Sequence, residues 1–213
     1  MDILGIDEAG RGSVLGPLVI AGVVVPEKME KVLERMGVKD SKRLVPHRRT
    51  ILSRKLKKMF DYEIVVISAR EIDEMRANGI NLNEIEKNAM ESILLKMKPE
   101  KAIVDAVDVK AERFQENLCK DTGLNVIAEH KADDKYIEVS AASIIAKAER
   151  DDRIAQINKE FIKSGGIGSG YPSDPKTKEF LTNYTYDEMP DFVRRSWATV
   201  AKMKWFSIFL NNI

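Results

Sequence analysis

Short uninterrupted apolar runs alternate along this chain with longer stretches of mixed polarity. Residues 3–6 (ILGI) and 18–25 (LVIAGVVV) read as buried strands joined by a glycine-rich connection, with Pro26 closing the second. Residues 27–36 read as a short helix and 45–60 as a longer one rich in bases. A third strand is expected at 62–68 (YEIVVIS). One or two helices follow over 69–97, interrupted around Asn78-Gly79 and 81–83. Residues 102–107 and 125–129 read as the fourth and fifth strands, with a helix at 110–122 between them. The pattern over 137–161 is helical, and its alanines and serines on one face let a helix lie close to a sheet. SGGIGSGYPSDP (164–175) is a loop of turn residues, and two further helices are expected around 176–183 and 191–209. This order predicts an α/β protein: a mixed sheet flanked by helices, with the last ~40 residues as a small helical lobe.

Bulk properties narrow the class. With 213 residues and 44% hydrophobic content, the chain can bury one sizeable core, or a core with a small appended lobe. No apolar run approaches the ~20 residues of a membrane span. The opening MDILGIDEAG has no basic segment followed by an apolar one, so no signal peptide is expected. A single cysteine, Cys119, excludes an internal disulfide framework and a cysteine-based zinc site. The expectation is a soluble, cytoplasmic protein without a membrane association. Net charge is only +1, but it is unevenly spread: residues 39–58 carry nine Lys/Arg against one acid, Asp40, whereas 61–92 carry eight acids against three bases. Such a basic run reads either as a solvated helix face or as a surface for a polyanion.

The candidate chemistry begins at IDEAGRGSVLG (6–16). The spacing Gly10-x-Gly12-x-x-x-Gly16 misses the dinucleotide pattern, precedes a strand rather than a helix, and has no Gly-Lys-Ser/Thr after it. By itself it reads as a tight strand-to-strand connection. Asp7 and Glu8, just before it, would repel a phosphate. Adjacent strand residues point to opposite faces, so the two acids can share a site only where the strand ends and twists into the loop. Asp105 again closes an apolar strand, and Glu129-His130-Lys131-Ala132-Asp133-Asp134-Lys135 follows the fifth. Any one of these acids alone reads as solvated or salt-bridged. Together they bring carboxylates from three elements to what could be one sheet edge. Such a set suits a hard, oxygen-ligated cation such as Mg²⁺ or Mn²⁺, and two such ions make the arrangement for phosphoryl transfer.

The blocks GIDEAGRG (5–12), GP (16–17), KDSKRL (39–44), IVDAVD (103–108), EHKADDKY (129–136), SAASIIAK (140–147), GSGYPSDP (168–175) and VRRSW (193–197) occur in this order. On these blocks the chain resembles ribonuclease HII, the type 2 ribonucleases H, in their prokaryotic form. Ser13, where many of that family have proline, is a departure. The resemblance implies a ribonuclease H-like fold, a central mixed five-stranded sheet flanked by helices, with a C-terminal helical extension. Residues 1–163 would form the catalytic domain, and 164–213 the loop and helical extension carrying a junction-sensing tyrosine.

It further implies hydrolysis of the RNA strand of RNA–DNA hybrids and cutting 5′ to a single ribonucleotide embedded in duplex DNA, leaving 3′-hydroxyl and 5′-phosphate ends. The cofactor would be Mn²⁺ or Mg²⁺, two ions with substrate bound. The implied catalytic and metal-binding acids are Asp7, Glu8, Asp105 and Asp133; Asp133 rather than Asp134 follows the family's Lys-Ala. Gly10, Arg11 and Gly12 match the segment that senses the ribose 2′-hydroxyl through backbone groups. Tyr171 matches the tyrosine that stacks on the sugar after the ribonucleotide. Lys42 and Arg43 are expected at phosphates. Ser143 and Lys147, on one helix face with Ser140, are expected either beside the nucleic acid or in helix–sheet packing. His130, next to the acids, is expected to support them or to be purely structural rather than catalytic, and Arg194, Arg195 and Trp197 are expected either to anchor the final helix or to graze the duplex.

Two other readings stand beside this one: a different nuclease on the same acidic fold, which would cut DNA lacking ribonucleotides, and a non-catalytic nucleic-acid binder driven by the basic run. The tail KMKWFSIFLNNI adds a partner expectation. Trp205 or Phe206, then Ile208, Phe209 and Leu210, resemble a sliding-clamp docking peptide, with Lys202 where its glutamine would stand; an apolar helix packing on the body is the alternative.

Overall fold

The run DILGIDEA forms strand β1 (Asp2–Ala9) and LVIAGVVVP forms β2 (Leu18–Pro26), both buried along nearly their whole length. Continuous rather than alternating burial means that both faces are covered. The structure, a computed structural model, describes residues 1–210, with the side chains of Asp40 and of residues 205–210 outside that description. Strands β3 (Tyr62–Ile67), β4 (Lys101–Asp105) and β5 (Val126–Glu129) complete a sheet of order β3-β2-β1-β4-β5. β1 runs antiparallel to β2 and parallel to β4, and β4 is parallel to β5. The expected mixed five-stranded sheet is therefore present.

The helices are α1 (Glu30–Met36), α2 (Pro46–Met59), α3 (Ala69–Ala77), α4 (Leu82–Met97), α5 (Ala111–Thr122), α6 (Ala132–Lys135), α7 (Ile137–Phe161), α8 (Pro175–Thr182) and α9 (Ala198–Leu210). Several limits differ from the sequence expectation, each for a local reason. β1 continues through Asp7 and Glu8 because its pairing with β2 extends to Ala9↔Val19. β4 stops at Asp105, where its pairing with the four-residue β5 ends at Glu129. The helix expected from 191 begins at Ala198, since the Arg194 N–H is drawn out to the Val14 carbonyl at 2.9 Å and Val193 closes a turn on Pro190. Residues 27–36 split into a 3₁₀ turn, Glu27–Met29, and α1. The short α6 had no periodic signal; Lys131, with φ +56°, turns the chain into it.

The chain divides into two compact units. The first comprises Met1–Ala9, Val19–Val66 and Leu82–Glu149. In its core Val19, Ala21, Val23 and Val25 of β2 meet Leu52 and Leu56 of α2 and Ala141, Ala142, Ile145 and Ala146 of α7. A Cβ at Gly5 would lie 2.2 Å from the Glu138 carbonyl carbon, so α7 rests its backbone directly on β1. This is the close helix–sheet approach that the small residues anticipated.

The second unit comprises Gly10–Leu18, Ile67–Asn81 and Arg150–Ile213. Its core gathers Val14, Leu15, Ile154, Ile167, Phe180, Leu181 and Val193. Phe161 meets Phe180 and Phe192 edge-on at 5.2 and 5.4 Å, an arrangement favoured by the ring quadrupoles. Among the described residues no helix is long and apolar enough to cross a membrane.

Candidate active site

The last β1–β4 pair is Ile6↔Val104, so Asp7 and Asp105 stand side by side just past it. β4 ends at Asp105, so Glu8 has no β4 residue beside it and can turn round the open edge although it follows Asp7 in the strand. One carboxylate oxygen from each of Asp7, Glu8 and Asp105 falls within 4.8 Å of the others. Asp7 is 4% exposed, and Glu8 and Asp105 are half-buried. Three like charges in partial burial repel. Burial first, and the Glu8 charge second, holds the Asp7 carboxyl well above the ordinary value of 3.8. Asp105 is also raised, chiefly by burial; the Ala132 N–H, donated to its Oδ1 at 2.8 Å, opposes this.

Asp133 reaches the same neighbourhood from α6. It is 7% exposed, and its charge helps push Asp105 up. Lys42 Nζ lies 3.2 Å from Asp133 and donates to Asp134 Oδ1 at 2.5 Å. The segment before α2 thus crosses to the acids after β5. The Asp134 hydrogen bond is the main reason Lys42 holds its proton more tightly than a free lysine. Arg43 is exposed.

Helix α7 supports both acid-bearing segments. Ser140 donates to the Asp133 carbonyl oxygen, and Ser143, fully buried, favours the ionised form of the Asp7 carboxyl. Lys147 Nζ donates to Ser143 Oγ at 2.6 Å, and its charge also favours ionised Asp7. His130 Nε2 lies 3.2 Å from the Val109 carbonyl oxygen. The oxygen-only donors of Asp7, Glu8 and Asp105 fit a hard divalent cation, which would also relieve their mutual repulsion.

Gly10, Arg11, Gly12 and Tyr171 lie together in the second unit. The Val14 and Leu15 N–H groups, just after the glycine segment, donate to the Gly170 carbonyl at 2.8 and 3.1 Å. Gly10 has φ +88°, and a Cβ there would meet Arg150 Nε at 2.5 Å. Gly12 is different: a Cβ would meet nothing within 4 Å, so nothing in the fold demands glycine at that position. The Tyr171 loop is itself pinned. Asp174 accepts from the Ser169 N–H at 2.6 Å, and Thr177 Oγ1 accepts from Gly170 and donates to Ile167.

Two buried arginines brace this unit, beyond what the pattern indicated. Arg150 lies under the Tyr171 ring and donates to the Ser169 carbonyl at 3.2 Å. Arg194, expected at the final helix, has 0% exposure and donates to the carbonyls of Gly16 (3.0 Å) and Arg11 (3.2 Å). Burial, with the Arg150 charge added, pushes its pKa down to about 9. A signal for Arg150 existed: it continues the spacing of Ser140, Ser143 and Lys147 along α7. The same residue type at Arg153 shows why spacing alone did not single it out.

The model of the family "Ribonuclease HII" matches residues 4–200. The chain is 80% identical to the ribonuclease HII of Methanobrevibacter smithii over 96% of this chain and 99% of that protein. Its structure is similar to that of ribonuclease H2 from Pyrococcus horikoshii, with TM-score 0.88 and 43% identity over 97% and 98% of the two chains. It is also similar to the ribonuclease HII in a PCNA:RNase HII complex from Archaeoglobus fulgidus, with TM-score 0.85 and 45% identity over 92% and 95%. The five-stranded sheet with its flanking helices is thus of the ribonuclease H-like kind, and the chain belongs to the ribonuclease HII family of hydrolytic endoribonucleases.

Proposed function

We propose that the protein cleaves the RNA strand of RNA–DNA hybrids and cuts 5′ to single ribonucleotides in duplex DNA, leaving 3′-hydroxyl and 5′-phosphate ends. The observation that carries this reading is the convergence of Asp7, Glu8 and Asp105 at the open end of β1. With Asp133 they would hold Mn²⁺ or Mg²⁺, two ions with substrate bound. Such ions supply a nucleophilic water at neutral pH and stabilise the leaving oxygen. Ser143 and Lys147 favour the ionised form of Asp7 and partly oppose the effect of its burial. Lys42, already beside Asp133, and exposed Arg43 are suited to phosphate oxygens. In this reading the chemistry belongs to residues 1–163, and the segment 164–213 carries the junction-sensing Tyr171.

Substrate choice falls to the second unit. Backbone groups of Gly10, Arg11 and Gly12 read the 2′-hydroxyl, which separates RNA from DNA, and Tyr171 packs on the next sugar. The open space at Gly12 supports this, because the fold does not need a glycine there whereas close approach of a sugar does. The test is a duplex with one ribonucleotide, incubated with Mn²⁺. A nick 5′ to the ribonucleotide is expected. Survival of this duplex and of an RNA–DNA hybrid, or equal cutting of all-DNA duplex, would exclude the proposal.

With this activity we propose a role in removing misincorporated ribonucleotides during replication, in the cytoplasm. The tail at 205–210 is proposed to dock a sliding clamp; these side chains lie outside the described residues, and support comes from the Archaeoglobus relative captured with PCNA. Unchanged clamp binding after deletion of 203–213 would discard that contact.

A further inference from the structure

Helix α2 has two unlike faces. Leu52, Ser53 and Leu56 are buried, in the core shared with α7. The opposite arc carries His47, Arg48, Ile51, Arg54, Lys55 and Lys58, all exposed. At 3.6 residues per turn these six fall within about 120° of arc. No Asp or Glu occurs anywhere from 41 to 60.

Other helices of this chain are solvated differently. α3 sets Arg70 against Glu74 at 2.9 Å, and α4 sets Lys87 against Glu91 at 2.7 Å, the i,i+4 pairing that supports an exposed helix. At the same spacing α2 sets Arg54 against Lys58, which repel. It also puts His47 and Arg48 in its first turn, where the helix dipole is already positive. Among the described residues, Arg48, Arg54, Lys55 and Lys58 have no ion-pair partner. The whole chain carries only +1, so this concentration is local. A helix that retains such self-repulsion has the electrostatic footprint of a polyanion site.

We propose that the exposed arc of α2 is a docking surface for the phosphate backbone of duplex nucleic acid, extending the footprint beyond the acidic cluster. The head of the basic run lies at that cluster, where Lys42 contacts Asp133 and Asp134. Its 14 residues make α2 about 21 Å long, enough to follow roughly six base pairs. Phosphate contacts carry no sequence information, as befits an enzyme that reads sugar. The identity of the polyanion rests on the nuclease reading above.

The experiment measures binding of a fluorescent all-DNA duplex of about two helical turns by anisotropy, with Mg²⁺ present, to wild type and to R48Q/R54Q/K55Q/K58Q. Affinity should fall about tenfold or more at low salt, and the slope of log K against log salt should become shallower by about 3 to 4. The variant should melt no lower than wild type, since repulsion is relieved. The pair R54Q/K58Q, with about half the change in slope, guards against a folding defect. Unchanged affinity and slope overturn the proposal. So does loss of binding to phosphatidylserine vesicles with duplex binding intact, which would make the partner a membrane surface. Nicking at a ribonucleotide is assayed separately, so the nuclease reading and this surface can fail independently.

Discussion

The guanidinium carbon of Arg150 sits 4.7 Å from the centre of the Tyr171 ring, and its Nη2 holds the carbonyl of Ser169 two residues earlier. Tyr171 is 36% exposed, whereas Arg150 is 4% exposed. The tyrosine thus offers one face outward and rests the other on a buried cation, an arrangement worth about 0.5–1 kcal/mol for a partly exposed ring. Arg150 also occupies the space that glycine leaves at position 10.

Tyr171 and Arg150 should therefore separate in their effects. Tyr171→Ala is expected to cost about 1 kcal/mol or less in stability, yet to lower cleavage at a single ribonucleotide about 10- to 100-fold, as for loss of a stacking contact. Tyr171→Phe should retain most activity. Arg150→Ala should destabilise by about 2–4 kcal/mol through a cavity and orphaned carbonyls. Thermal melts and single-turnover nicking measure the two effects.

The glycines 10 and 12 should behave oppositely. Gly10→Ala meets both a left-handed backbone and a clash with Arg150 and the Pro17 carbonyl, so a loss of about 2 kcal/mol or more is expected. Gly12→Ala should change stability by no more than about 0.5 kcal/mol while reducing cleavage beside a ribonucleotide. A Gly12→Ala enzyme with full activity would remove Gly12 from the proposed sugar-reading segment.

Asp7 should show opposed demands of stability and function. Its folded carboxyl is raised above 3.8, so its ionised form is disfavoured by folding. Wild type should lose stability as pH rises from 3.8 towards the raised value, and this deficit persists at neutral pH. Asp7→Asn lacks this slope. In EDTA at pH 7 it should melt higher than wild type, while its cleavage is abolished. A divalent cation at about 100 times its Kd should stabilise wild type by ~2.7 kcal/mol and Asp7→Asn by much less. Calorimetric melts with and without Mn²⁺ decide the matter.

Ser143→Ala tests the support of Asp7. Ser143 lowers the Asp7 pKa, so its removal should raise it further and, if Asp7 holds the cation as proposed, weaken cation binding about 10- to 100-fold, the range for partners of ligating groups. The readout is the Mn²⁺ concentration giving half-maximal cleavage. An unchanged value would reduce Ser143 to packing.

Much of this was legible in one dimension. Continuous apolar runs marked both long strands, because a strand covered on both faces needs apolar residues at every position. The small residues of 137–161 announced a helix seated on the sheet, and Gly5 supplies the receiving surface. Acids closing apolar strands pointed to Asp7, Glu8 and Asp105, since a carboxylate at a buried strand end needs a partner. Less visible were α6, whose four residues carry no period, and the start of α9, where a long-range bond from Arg194 to Val14 overrides local helical preference. Arg150 was hidden because an arginine buried under a tyrosine and one bathed in water have the same letter.

The sequence by itself determined the five strands, most of the helices, the mixed sheet and the residue kinds of the proposed catalytic chemistry, because hydrophobic periodicity and charge placement are local properties. Only the tertiary structure decided that Glu8 shares a site with Asp7 despite adjacent strand positions. The physical reason is register: β4 ends its pairing at Ile6↔Val104 and leaves the end of β1 open. It also decided that Gly10 is held by packing and Gly12 is not, since that distinction depends on Arg150, far along the chain.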